Sequence, residues 1–191
     1  CYGTVYPDPE NATRVIKVGE VCADIEFYEM FYPVMPDLFP TYYGVVDTFY
    51  DERPRGTNQV VRKEGQGLCI ERLEYTLGEV IGLGLIPFEE IVKKINAIET
   101  KLCKFFEETR SVTPDGLGIV IDDLHVGNFM FDKNFELKVV DVGIWFSATK
   151  VEYVDARVWH DLQEENFNNK NFLEENKAWG TRFNPRYEAL E

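Results

Sequence analysis

A chain of 191 residues with 45% hydrophobic and 14% aromatic content has material for one domain and is not a disordered polymer. At that length folding removes about 70% of the unfolded chain's surface from water. The formal net charge of −14 excludes direct binding to nucleic acid or to an anionic membrane, which needs clustered Lys and Arg, and makes a basic protein surface the natural partner.

Taken in chain order, Gly3-Thr4-Val5-Tyr6 predicts a turn running into a strand, and Arg14-Val15-Ile16-Lys17-Val18-Gly19 a second strand with Lys17 among apolar neighbours. A lysine so placed either snorkels from a sheet edge or faces an anion. Val21, Ile25, Tyr28 and Tyr32 recur at helical spacing, with Glu26 and Glu29 between them. Thr41 to Phe49, Gln59 to Lys63 and Gly67 to Leu73 read as strands, the first two separated by a Pro- and Gly-bearing loop from Asp51 to Thr57. Pro87 opens the strongest helix, whose stripe of Phe88, Ile91, Val92, Ile95, Ile98, Leu102, Phe105 and Phe106 is core in character. Phe129-Met130-Phe131 and Leu137 to Val140 form a hairpin around Asp132-Lys133-Asn134. After Tyr153, Glu164 to Asn176 reads as a solvated helix, with Trp159 and Trp179 anchoring the tail.

The hairpin gives the segment from Ile121 to Gly143 its chemical meaning. It returns the chain to its start, so Asn128 before the first strand and Asp141 after the second meet at one end. Asp123 stands five residues before Asn128, and Asp141 opens an Asp-Val-Gly triplet. A carboxylate that accepts a hydroxyl proton, an amide that holds a metal, and a second carboxylate that bridges metal and phosphates form the working set of phosphoryl transfer at this spacing. Lys17 would supply the phosphate-binding ammonium, held by a glutamate from the following helix. Glu26 is favoured and Glu29 kept in reserve. His125, inside the loop, is assigned a structural hydrogen bond. His160 shows no companion ligand, so no metal is expected there. Cys1, Cys22, Cys69 and Cys103 lack a metal-ligand spacing, three lie in apolar stretches, and buried free thiols of a reducing compartment are expected. Asn11-Ala12-Thr13 is a chance match to a glycosylation acceptor.

With these residues in place, the chain resembles a compact protein kinase-like domain over about residues 1 to 146. The strings RVIKVG around Lys17, Lys104-Phe105-Phe106-Glu107 and DLHVGNFMF from Asp123 are similar to the early serine/threonine kinases of short-tailed bacteriophages. The resemblance implies an α+β fold of two lobes in a single domain, a β-rich N-lobe at 1–74 and a reduced helical C-lobe at 75–191. It implies ATP and magnesium as cofactors, Asp123 and Lys17 as catalytic residues, and Asn128 and Asp141 as magnesium ligands. Gly3 and Val5 would belong to the tail of a phosphate-covering loop, and Glu71 to Tyr75, with Glu71 and Leu73 foremost, to the hinge whose backbone meets adenine. Because Cys1-Tyr2-Gly3 reads as that loop's tail, a form extended upstream would be expected to bind ATP more tightly. The substrates implied are protein Ser/Thr hydroxyls, with host transcription and RNA-processing proteins as targets and the (host) cytoplasm as location.

Departures from the general pattern are specific. Ile121 and Asp122 stand where His and Arg are usual, so the arginine that reads activation-loop phosphate is absent. Val142 replaces Phe in the metal-binding triplet, no Ala-Pro-Glu signature follows, and Ile144 to Tyr153 is short for an activation loop. Two other classes fit parts of the chain: a small-molecule phosphotransferase of the aminoglycoside or choline kinase type, whose catalytic loop Asp123 to Asn128 also resembles, and a non-catalytic kinase-like protein that occupies a basic partner. No apolar run is long enough to span a bilayer, and no signal peptide is visible.

Overall fold

The computed structural model describes residues 3–52, 54 and 56–175, with side chains up to 168. Cys1, Tyr2 and Trp179 therefore lie outside the described residues. The fold is α+β, with three small antiparallel sheets and four α-helices among the described residues.

The largest sheet has the order β1-β2-β4-β3. Strand β1 (Gly3–Pro7) runs back along β2 (Arg14–Gly19), with Val5 opposite Lys17 and Gly3 opposite Gly19. Asp8 and Asn11 shape the connection, their carboxylate and amide oxygens accepting from the N–H of Glu10 (2.9 Å) and Thr13 (3.0 Å). Strands β3 (Tyr42–Glu52) and β4 (Val61–Glu71) form one long ladder from Val45 opposite Leu68 to Glu52 opposite Val61. This corrects the sequence expectation of two strands at 59–63 and 67–73. Gly65 and Gly67 interrupt nothing, because the Tyr50 ring lies 3.1 Å, and Ile16 Cγ2 2.5 Å, from where their Cβ atoms would sit. A glycine covered by its neighbour's side chain is close approach within a strand, not a break.

Helix α1 (Cys22–Phe31) buries Asp24, Ile25, Phe27, Tyr28 and Phe31. Phe27 meets Phe39 edge-to-face, ring centroids 5.1 Å apart, which fixes the helix against the chain leading to β3. The short strand β5 (Tyr75–Thr76) leads directly into α2 (Leu77–Gly82). Thr76 and Glu79 close a reciprocal capping box there, Thr76 Oγ1 accepting from Glu79 N at 3.1 Å and Glu79 Oε2 from Thr76 N at 2.9 Å.

Helix α3 (Phe88–Val112) is the molecule's spine. Ile91, Ile95, Ile98, Leu102, Phe105 and Phe106 of the expected stripe are buried, while Phe88 and Val92 are half-buried. It packs on β6 (Gly118–Asp122), where the Phe106 ring occupies the space a Cβ on Gly118 would need. Strand β6 pairs with β9 (Gly143–Ser147), a two-stranded sheet that no sequence signal announced. Between them a 3-10 turn (Val126–Asn128) precedes the expected hairpin, β7 (Phe129–Phe131) and β8 (Leu137–Val139). Asp132 holds its turn by accepting from the N–H of Asn134 (2.8 Å) and Glu136 (2.9 Å).

Helix α4 (Ala156–Glu175) starts eight residues before the expected solvated segment at 164 (164 − 156). Val158 and Leu162 are buried and Trp159 packs against the core, whereas Phe167 is exposed. The thiols differ from expectation as well: Cys69 is buried, Cys103 half-buried and Cys22 exposed, because Cys22 opens α1 on its outer side. No helix among the described residues is long and apolar enough to cross a membrane.

Candidate functional site

Lys17 is the centre of the arrangement. It is only 5% exposed, yet its Nζ lies 3.2 Å from Asp24 Oδ2 and 2.5 Å from Asp141 Oδ1. Burial alone would lower the pKa of this ammonium, but the hydrogen bond and charge of Asp141, joined by those of Asp24, outweigh it and raise the value. The lysine stays charged. Asp24 is buried beside it, whereas the Asp141 side chain is 59% exposed and opens to solvent. The neighbouring Tyr28 phenol is held neutral, its pKa raised first by burial and then by the charges of Asp141 and Asp24.

The partner of Lys17 is therefore Asp24 and not Glu26. Helix α1 begins at Cys22, so Asp24 falls in its first turn on the same buried face as Ile25 and Tyr28, while Glu26 and Glu29 point outward and are exposed. The shorter acid suffices because α1 begins just after β2 ends at Gly19, which brings Asp24 Oδ2 within 3.2 Å of Lys17 Nζ; Gly3 on β1 also approaches the Lys17 stem so nearly that a Cβ there would lie 2.7 Å from Lys17 Cε.

These groups stand at one end of a cavity of about 300 Å³ between the four-stranded sheet and the β7–β8 hairpin. Val5, Val15, Leu68 and Ile70 line it from the sheet, Met130 and Val139 from the hairpin. Glu71 and Leu73 border it too. Glu71 uses its carboxylate structurally, accepting from Thr41 N and Oγ1, both at 3.0 Å. The N–H groups of Glu71 and Arg72 are engaged by the carbonyls of Thr41 (2.8 Å) and Thr13 (2.9 Å). Leu73 is the first residue of this connection whose N–H has no backbone partner among the described residues.

The second half of the site comes from the loop before the hairpin and the residue after it. Asn128 Nδ2 donates to the carbonyls of Asp123 (2.9 Å) and Asp141 (3.3 Å), and Val140 N donates to Asn128 O at 2.9 Å. One buried amide thus fastens both carboxylate-bearing residues, as the hairpin reading expected. Its Oδ1 accepts no hydrogen bond among the described residues. That oxygen and the open carboxylate of Asp141 are the hard donors a magnesium ion takes, so the residues fit the metal.

Backbone geometry marks the same two acids. Among the described residues only three non-glycine positions have positive φ, and two of them are Asp123 (64°) and Asp141 (52°). Such conformations cost on the order of 1–3 kcal/mol each and persist where the surroundings impose them. Gly143 has a packing reason: a Cβ there would lie 2.7 Å from Asp122 Oδ1. Asp122 itself is pushed up in pKa, by burial first and by Asp123 second.

Asp123 is 64% exposed, 4.0 Å from His125 Nε2. His125 plays the structural part assigned to it, Nδ1 accepting from Gly127 N at 3.1 Å. The structure thus brings together Lys17, Asp123, Asn128 and Asp141, sets Gly3, Val5, Glu71 and Leu73 around the cavity end and rim, and leaves Glu26 outside. Asp24 was missed; its phase with Val21, Ile25 and Tyr28 was the signal. His160 does have companions, Asp161 (3.7 Å) and Glu164 (3.9 Å), in an exposed group of three on α4. The i, i+4 spacing of His160 and Glu164 could have shown this.

No protein-family model matches the chain, and neither a curated protein nor a solved structure matches it.

Proposed function

We propose that the protein is an ATP- and magnesium-dependent phosphotransferase of two-lobed, protein kinase-like design, acting on Ser/Thr hydroxyls of proteins. The observation that carries the reading is the buried Lys17 ammonium, shared between Asp24 and Asp141 at one end of an apolar cavity. A cation kept charged in such a place suits a polyphosphate, and the apolar walls suit a flat heterocycle.

Lys17 binds the phosphates and Asp24 orients its ammonium. The unpartnered Leu73 N–H and the walls around it receive the base. Asn128 Oδ1 and the Asp141 carboxylate would hold magnesium, which would supply charge neutralisation on the transferring group. Asp123 sits beyond Asn128, open to solvent, where an incoming hydroxyl reaches it; it orients that hydroxyl and takes its proton as the oxygen bonds to the γ-phosphorus and the bond from that phosphorus to the β–γ bridging oxygen breaks, releasing ADP. The left-handed backbone of Asp123 and Asp141 aims both carboxylates while the Asn128 amide ties their carbonyls.

Incubating the purified protein with γ-labelled ATP and magnesium, against bacterial lysate and a panel of hydroxylated antibiotics, tests the assignment. Label on lysate proteins, lost in Asp123→Asn with nucleotide affinity retained, is the expected result. Label on an antibiotic instead would move the reading to a small-molecule phosphotransferase, and no transfer from a protein that binds ATP would move it to a non-catalytic binder.

A further inference from the structure

Asp123 lines a second, larger hollow of about 590 Å³ that shares no lining residue with the cavity at Lys17 and is bounded by the end of β6, by β9 and by the start of α4. Its walls carry the carboxylates of Asp122, Asp123, Glu152, Asp155 and Asp161, against one arginine, Arg157, and the imidazole of His125. Asp155 also caps α4, accepting from Arg157 N at 2.9 Å and Val158 N at 3.1 Å. Glu152 is exposed and has no ion pair among the described residues. Trp145 forms an aromatic wall, and Tyr153, 6% exposed, lies in the lining with its hydroxyl buried and without a hydrogen-bond partner among the described residues.

Alongside runs β9, paired to β6 on one edge and to no strand on the other among the described residues. It presents Ile144, Trp145 and Phe146 at 41, 43 and 58% exposure, three consecutive apolar residues beginning three positions after Asp141 (144 − 141). A free edge with apolar side chains is a template for an added strand. The hollow beside it has the opposite sign to a basic chain.

We propose that β9 and this hollow form the acceptor-docking surface, and that their occupant is an extended, Lys- or Arg-bearing segment of a protein. Its backbone adds to the free edge of β9, its cationic side chains enter among Glu152, Asp161 and Trp145, and its hydroxyl arrives at Asp123. The delivery of that hydroxyl rests on the phosphotransferase reading, whereas the docking is measurable without turnover.

The test is fluorescence anisotropy with a labelled peptide carrying one serine between arginines and lysines, compared with its copy bearing glutamates in their place. Both are titrated with the full chain, with its Glu152→Lys/Asp161→Lys variant, and with the milder Glu152→Gln/Asp161→Asn variant in case charge reversal disturbs folding. Mg-ATP calorimetry on each serves as a control, since neither residue belongs to the catalytic set. The basic peptide should bind, the acidic copy should not, and the variants should lose about tenfold, with binding weakened by salt. Equal binding of both peptides, unchanged affinity in a variant that still binds nucleotide, or tight binding of a cationic aminocyclitol with none of the peptide overturns the proposal. Docking without any phosphate transfer would instead reject the phosphotransferase reading and leave the docking surface standing.

Discussion

At the scale of single residues, the decisive detail is which acid serves Lys17. Removing the charge of a buried partner leaves the ammonium with Asp141 alone, and the proposed magnesium ion would draw on that carboxylate as well. Asp24→Asn should therefore weaken Mg-ATP binding by about tenfold or more, the scale at which a shared charged hydrogen bond of 1.5–3 kcal/mol acts. Glu26→Gln, on the exposed face of α1, should leave it unchanged. Nucleotide titrations of the two variants side by side check this; a larger loss in Glu26→Gln would restore the glutamate that sequence spacing alone favoured. Lys17 also predicts a stability profile. Its folded pKa is raised, so its pairing stabilises the fold below the ordinary lysine value and the contribution is lost as pH rises through the folded value. Thermal melts should fall in the alkaline range above the usual lysine pKa less steeply in Lys17→Met than in the natural chain.

At the scale of elements, α3 and the β7–β8 hairpin were legible because each carries a long, regular signal: the helical stripe from Ile91 to Phe106, and two short apolar runs around Asp132-Lys133-Asn134. The Asp123, Asn128 and Asp141 constellation followed from that hairpin. What was illegible depends on packing. The β6–β9 pair joins segments whose apolar runs are too short to tell strand from loop, and β4 runs through Gly65 and Gly67 only because Tyr50 and Ile16 cover them. Asp24, by contrast, shares the helical phase of Val21, Ile25 and Tyr28, and that phase was the readable signal that it, and not Glu26, faces inward. The capping box of α2, Thr76 with Glu79, was readable in the sequence and went unread; Thr76→Ala should cost about 1 kcal/mol by chemical denaturation. In α3, Leu102→Ala should cost about 2–5 kcal/mol, the range for a fully buried leucine, since the surrounding side chains collapse only partly into the space left. On α4, Glu165 is half-buried and its pKa is raised, by burial first and then by Asp161. An acid with a raised folded pKa costs stability where it is ionised, so Glu165→Gln should raise the melting temperature at neutral pH. The gain should vanish once the medium is acidic enough to protonate the carboxyl in both states.

At the scale of the whole molecule, the account makes one arrangement responsible for everything else: a sheet that brings Lys17, a helix start that brings Asp24, and a hairpin that brings Asn128 and Asp141, all meeting around an apolar cavity. Transfer to a protein hydroxyl presupposes that a magnesium nucleotide fills that cavity. Isothermal titration calorimetry of the natural chain with ATP, with and without magnesium, and of Lys17→Met and Asp141→Ala under the same conditions, tests this most directly. One site is expected, with a dissociation constant on the order of micromolar to millimolar, lost in Lys17→Met and no longer strengthened by magnesium in Asp141→Ala. Absence of binding to the folded natural chain, or binding of equal strength in all three proteins regardless of magnesium, would contradict it.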